Sequence, residues 1–123
     1  MGDYLRAATI HAPQVYSEPG SRKLLALTDQ FSQTLPEAVF RNFFRGEPAR
    51  DVRPLLPGLR VPTLVLHGEE DRLVPVEAGR WIAGQIPGAQ FYAFRGRGHA
   101  LIQTATAEFA QVLRSFVRAG RPA

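Results

Sequence analysis

The chain has 123 residues and no cysteine, so one modest domain is expected, and disulfides, thiolate catalysis and cysteine metal sites are excluded. Its 45% hydrophobic and 21% charged residues are typical of a soluble globular protein, and no apolar run reaches the roughly 18–20 residues of a membrane helix or forms a signal peptide. The net charge of +4 comes from arginines scattered among acidic residues, so nucleic acid is not a predicted partner. Because neither a membrane helix nor a signal peptide is found, no membrane partner is predicted and a cytoplasmic location is expected.

The first 50 residues have the spacing of helices. A short helix is predicted at residues 4–10, followed by an irregular stretch at 13–20. Two further helices are predicted between residues 24 and 44, the second opened by Pro36. Their apolar stripes are Leu24, Leu25, Leu27 and Phe31 on the first, and Val39, Phe40, Phe43 and Phe44 on the second.

The remainder of the chain alternates strands and helices. Residues 63–66 (Thr-Leu-Val-Leu) form a short unbroken apolar run, which predicts a strand covered on both faces of a parallel sheet. A helix is predicted at 76–86 and a second strand at 91–94, with Trp81, Phe91 and Phe94 in the core. Strand, helix and strand of these lengths make a βαβ unit with parallel strands.

An amphipathic helix around residues 109–117 is expected to pack on this sheet. The predicted fold is therefore α/β, with a βαβα order. Two strands alone do not make a parallel sheet covered on both faces, so we expect further parts of the fold to lie outside this chain.

Two residues with complementary chemistry follow the two strands. Asp71 comes after the first strand and His99 after the second, so the crossover brings both to the edge where catalytic groups of open α/β sheets gather. A carboxylate beside an imidazole fixes its tautomer and stabilises the imidazolium. The alternative from these residues alone is that Asp71 caps a helix or binds loop amides and that His99 marks a turn.

Other polar residues give weaker signals. His67 ends the first strand and favours a structural role, and Glu69 or Glu70 is an alternative acid, although the H-G-x-x-D spacing favours Asp71. The three histidines lack the close spacing of metal ligands, so no metal and no cofactor is predicted.

Three segments together resemble a known family. They are V-P-T-L-V-L-H-G-E-E-D-R-L-V-P at 61–75, I-P-G-A at 86–89 and G-R-G-H at 96–99. In this order they resemble the C-terminal part of α/β-hydrolases, most closely the cap-bearing esterases and lactonases, over roughly residues 50–119. The resemblance implies a helical cap-like segment at 1–50 and a C-terminal core segment of the hydrolase sheet at 51–123.

The resemblance also implies roles for residues near the sheet edge. Asp71 matches the triad acid and His99 the catalytic base, and Ala100, Leu101 and Ile102 would line the pocket for a small-molecule ester or lactone.

The family's nucleophile has no counterpart in this sequence. A G-x-S-x-G elbow is absent, the glycine-rich oxyanion loop is absent, and none of Ser17, Ser21, Ser32 and Ser115 stands in such a context. We therefore expect a partial hydrolase whose isolated chain is inactive, with a serine or an aspartate nucleophile outside it.

Two other function classes compete with this reading. One is a non-catalytic half-fold module, which predicts a homo-oligomer that covers the open sheet. The other is a small basic nucleic-acid binder, which predicts salt-sensitive binding.

Overall fold

The computed structural model describes residues 12–34, 36, 38, 39 and 51–120. The helix predicted at residues 4–10, and Phe40, Phe43 and Phe44 of the second predicted stripe, lie outside these ranges.

The described elements follow the predicted α/β order. They are helix α1 (Arg22–Thr34), a 3₁₀ helix (Arg53–Gly58), strand β1 (Leu64–Gly68), helix α2 (Val76–Gln85), strand β2 (Gln90–Phe94), helix α3 (Leu101–Thr104) and helix α4 (Thr106–Ala119). Strand β1 ends at Gly68, the glycine that was predicted to stop it. Residues 13–15, at the start of the predicted irregular stretch, are helical, and the short α3 was not predicted.

Strands β1 and β2 pair in parallel, as predicted, with Leu64 opposite Gln90 and Gly68 opposite Phe94. Side chains of successive residues point to opposite faces of a strand. The face that carries Phe94 is covered by α4, whose Phe109 ring stacks on the Phe94 ring with centroids 6.3 Å apart.

The opposite face of the sheet is covered by α2. Gly79 of this helix lies against His67 of β1, and the Arg80 guanidinium lies 4.8 Å above the ring of Phe91 in β2. The short sheet is therefore sandwiched between helices, which explains why the β1 sequence is apolar without alternation.

The hydrophobic core is small and lies between the sheet and the C-terminal helices. Phe94, Leu101 and Ala105 are buried, with Leu66, Phe109 and Val112 packed against them. The prediction that Phe94 is a core residue is thus confirmed.

Two packing predictions were wrong. Trp81 is 45% exposed, because α2 turns Gly79 and Ala83 toward the sheet and a residue two positions from Gly79 lies on the other side of the helix. On α1, Leu27 and Phe31 are exposed, since no described element covers the C-terminal half of the predicted stripe.

Helix α2 contains two glycines in different surroundings. A Cβ on Gly79 would lie 2.5 Å from Nδ1 and 3.1 Å from Cγ of His67, whereas a Cβ on Gly84 would have no neighbour within 4 Å. Close approach of α2 to β1 therefore requires glycine at 79 but not at 84.

No helix in the described ranges is both long and apolar enough to cross a membrane.

These two glycines give a matched pair of stability variants. Gly84→Ala should raise the free energy of unfolding by up to about 1 kcal/mol, because alanine favours helix. Gly79→Ala should instead lower it by about 1–3 kcal/mol, since the new methyl group displaces a packed ring. Urea unfolding of both variants measures the difference, and equal stabilisation by both would show that α2 does not approach β1 this closely.

Candidate active site

The loops that follow the two strands are in contact through their backbones. The Glu69 amide donates to the Phe94 carbonyl at 3.1 Å, and the Glu70 amide donates to the Arg97 carbonyl at 2.9 Å. These bonds continue the pairing of β1 and β2 beyond the sheet. They bring residues 69–75, the acid loop, beside residues 95–100, the histidine loop.

Gly68 permits this contact. A Cβ at residue 68 would overlap the carbonyl groups of Arg97 and Gly98, which are backbone atoms and cannot rotate away as a flexible side chain can. The acid and histidine loops can approach to this distance only because β1 ends in glycine.

Asp71 and His99 meet at this edge of the sheet. Nδ1 of His99 lies 2.8 Å from Oδ2 of Asp71, a short hydrogen bond between residues 28 apart in sequence. The structure therefore brings together the two residues that the topology and the resemblance predicted to be neighbours.

The two side chains differ in exposure. The Asp71 side chain is 3% exposed and the His99 side chain is 39% exposed. Because a carboxylate only accepts, the neutral His99 ring carries its proton on Nδ1, and Nε2 keeps a free lone pair. The imidazole is thus oriented by a buried anion and is open to solvent for proton transfer.

A cavity of about 340 Å³ lies beside His99. Ala100, Leu101 and Ile102 line it together with Val15, Tyr16, Leu66 and Phe109, and their role in substrate binding stays a prediction. A larger cavity of about 490 Å³ lies between the sheet and α4, lined by Leu64, Gln90 and Phe116, and neither Asp71 nor His99 borders it.

No protein-family profile matches the chain. A pimeloyl-[acyl-carrier protein] methyl ester esterase from Chromobacterium violaceum is 32% identical over 63 residues, which cover 51% of this chain and 25% of that protein. A 2-hydroxymuconate semialdehyde hydrolase from Pseudomonas putida is 38% identical over 55 residues, which cover 45% of this chain and 20% of that protein.

Among solved structures, a thermophilic esterase from Thermogutta terrifontis matches with a TM-score of 0.81 and 26% identity, over 93% of this chain and 43% of that one. The chain belongs to the α/β-hydrolase superfamily. It spans about a fifth to a quarter of the length of these curated relatives and less than half of the solved esterase.

In this α/β-hydrolase chain the Asp71 carboxylate is held from several sides. Its Oδ1 accepts the backbone amides of Leu73 at 2.8 Å and Val74 at 2.9 Å, while Oδ2 accepts from His99. The loop-amide role, considered above as an alternative to the histidine pairing, is therefore present together with it.

These contacts set the charge of Asp71. Burial by itself raises the pKa of this carboxyl, but the hydrogen bonds from Val74, His99 and Leu73 outweigh burial and hold the pKa below its usual value of 3.8. Asp71 is consequently ionised at neutral pH and faces His99 as an anion.

His67 supports the same loop. Its Nε2 lies 2.9 Å from the Val74 carbonyl, which can only accept, so this nitrogen carries a proton. The same nitrogen is 3.4 Å from Oδ2 of Asp71. These contacts give His67 the structural role that its position in the sequence favoured. Glu69 and Glu70 are exposed, and Asp71 rather than either of them binds His99.

Two residues of the site were missed by sequence reasoning. Ser17 and Glu18 contact the acid and histidine loops although they precede them by at least 50 positions, and only a polar pair in a Pro/Gly-rich stretch marked them. In the part of the chain described, no group of three or more His, Asp or Glu side chains is arranged to hold a metal ion.

Replacing Asp71 by asparagine tests the charge of this carboxyl. Since the native pKa is lower than the unfolded one, the carboxylate stabilises the fold fully above the unfolded value, and this contribution disappears as the pH falls through the native pKa. Asp71→Asn should therefore be less stable than wild type at neutral pH, and the difference should shrink in acid.

The measurement is urea unfolding as a function of pH, with Glu69→Gln as a control that removes an exposed charge from the same loop. A stability difference for Asp71→Asn that stays constant from neutral to acidic pH would contradict the assigned pKa shift.

Proposed function

We propose that this chain supplies the acid and the base of a hydrolase catalytic triad, and that the complete protein hydrolyses a carboxylic ester, a lactone or a related acyl bond. The observation that carries the proposal is the 2.8 Å bond between the buried Asp71 and the Nδ1 of His99, whose ring borders an apolar cavity. Small-molecule substrates fit a cavity of this size.

The reaction follows from the orientation of the imidazole. Nε2 of His99 accepts the proton of the attacking nucleophile, and Asp71 stabilises the imidazolium that forms. The proton then passes from Nε2 to the leaving group as the tetrahedral intermediate collapses. Hydrolysis of the acyl intermediate repeats both transfers with water as the nucleophile.

The nucleophile itself is proposed to lie outside these 123 residues. No G-x-S-x-G elbow occurs in the sequence, and Ser17, which contacts the acid loop, directs its hydroxyl to the Glu70 carbonyl at 3.4 Å. An attacking serine would have to reach Nε2 of His99 from the cavity side to give up its proton. An aspartate nucleophile carries no proton, and His99 would then act only on the water that hydrolyses the covalent intermediate.

The cavity lining and the relatives indicate the substrate class. Valine, leucine, isoleucine and phenylalanine side chains dominate the wall beside His99, which favours an apolar acyl or alkoxy group. Two of the similar proteins are described as esterases. Val15 and Tyr16 contribute to the wall, which supports a cap-like role for the segment before residue 50.

A second candidate function is a non-catalytic module that forms homo-oligomers. It is favoured by the described sheet, which has only two strands and so leaves one edge of each strand without a partner. Light scattering distinguishes the two: a stable oligomer without any hydrolase partner segment would support this alternative. The cytoplasmic location and the absence of nucleic-acid and membrane partners stay predictions.

The first test of the proposed hydrolase is to determine the DNA sequence upstream of Met1. An encoded strand, glycine-rich loop and G-x-S-x-G or aspartate elbow would support the proposal and name the nucleophile. Stop codons in all frames with no such elbow would favour the oligomeric module instead.

The second test is hydrolysis of p-nitrophenyl esters. The isolated chain should not exceed background, whereas the protein joined to its nucleophile segment should be active, and His99→Gln should reduce kcat by about 10³-fold or more. Asp51→Asn is the control, because Asp51 is an exposed carboxylate that pairs with Arg53. Turnover by the isolated chain that is lost in His99→Gln would contradict a nucleophile outside it.

A further inference from the structure

A single carboxylate oxygen from the N-terminal segment holds both ends of the segment that carries His99. Oε1 of Glu18 accepts the Gly98 amide at 2.8 Å and the Thr104 hydroxyl at 2.7 Å. Between these two anchors lie His99 and all three predicted pocket residues, Ala100, Leu101 and Ile102. The position of this segment is therefore coupled to Glu18.

The residue before Glu18 contacts the other loop. The Ser17 hydroxyl donates to the Glu70 carbonyl at 3.4 Å, a long bond directly before Asp71 in sequence. The dipeptide 17–18 thus spans from the acid loop to the histidine loop.

Glycine at 98 leaves room for the Ser17 and Glu18 side chains against the histidine loop. A Cβ there would lie 2.5 Å from the Ser17 hydroxyl and 3.4 Å from Oε2 of Glu18. The histidine loop therefore presents bare backbone to the dipeptide.

Burial of the Glu18 side chain at this place costs desolvation free energy. Glu18 is buried, and its Oε2 has no hydrogen-bond partner among the described residues. Burial raises the pKa of Glu18, but the bonds from Gly98 and Thr104 and the nearby Arg97 charge leave the pKa below its usual value of 4.5. The fold therefore favours the ionised form through Oε1, while Oε2 stays buried without a partner in the described part of the chain. Such departures from full pairing are concentrated at functional sites.

We propose that Glu18 is a positioning residue that holds the histidine loop so that Nδ1 of His99 stays bonded to Asp71. The catalytic meaning of this role rests on the proposed hydrolase function. The positioning itself is a property of this chain, and it can be measured without any turnover.

The test is proton NMR of the isotope-labelled chain. In wild type, the Gly98 amide signal should move as Glu18 titrates in acid, and a downfield Nδ1 proton of His99, identified by its loss in His99→Gln, should exchange slowly with water. In Glu18→Ala the Gly98 movement should vanish, and exchange of the Nδ1 proton should accelerate about tenfold or more, the scale of one charge-assisted hydrogen bond.

Matched variants separate positioning from charge and from general destabilisation. Glu18→Gln keeps an oxygen that can accept from both Gly98 and Thr104, so it should largely preserve the slow exchange at His99. Glu69→Gln removes an exposed negative charge from the acid loop and should leave the signal unchanged. Thr104→Val removes one anchor, should accelerate exchange less than Glu18→Ala, and serves as the test if Glu18→Ala does not fold.

The outcomes distinguish the two proposals. Unchanged exchange at His99 in folded Glu18→Ala or Thr104→Val would overturn the positioning role and leave the proposed triad intact. Absence of a protected Nδ1 proton in wild type would overturn both, because His99 would not be bonded to Asp71. Absence of ester hydrolysis by the protein joined to its nucleophile segment, although the NMR results are as expected, would count against the hydrolase function alone.

Discussion

Contact between the backbones of two loops is the constraint on which the candidate site depends. The end of β1 lies so close to the carbonyl groups of Arg97 and Gly98 that only glycine fits at position 68. Parallel pairing of β1 with β2 aligns the carboxyl ends of both strands, and the bonds from Glu69 and Glu70 extend that alignment into the loops. Asp71 and His99 are neighbours as a result of this close approach.

The buried carboxylate of Asp71 turns proximity into a defined geometry. Two amides fix one of its oxygens and His99 binds the other, so the acid loop cannot shift without breaking several charge-assisted bonds. An ionised acid that is held from within the protein leaves His99 as the solvent-accessible partner. This asymmetry suits general base chemistry, in which the base must exchange protons with a substrate while its tautomer stays fixed.

Residues from before position 50 complete the same site. Val15 and Tyr16 line the cavity, and Ser17 and Glu18 contact the two loops from the N-terminal side. The division into a segment of 1–50 and a core of 51–123 stays a prediction. Side chains from both sides of residue 50 lie around His99, so the geometry of the site depends on both parts of the chain.

The sequence by itself determined the features that are governed by local periodicity and by chain connectivity. Strands β1 and β2, helices α2 and α4, the parallel pairing and the meeting of Asp71 with His99 follow from apolar spacing and from the rule that parallel strands end at one edge. Tertiary structure alone decided which helix face is buried, exposing Trp81 where the sequence predicted core, and it decided the contacts of Glu18 with Gly98 and Thr104. Such contacts join residues 80 or more positions apart. No local pattern records them, because they depend on how the packed elements place distant segments against each other.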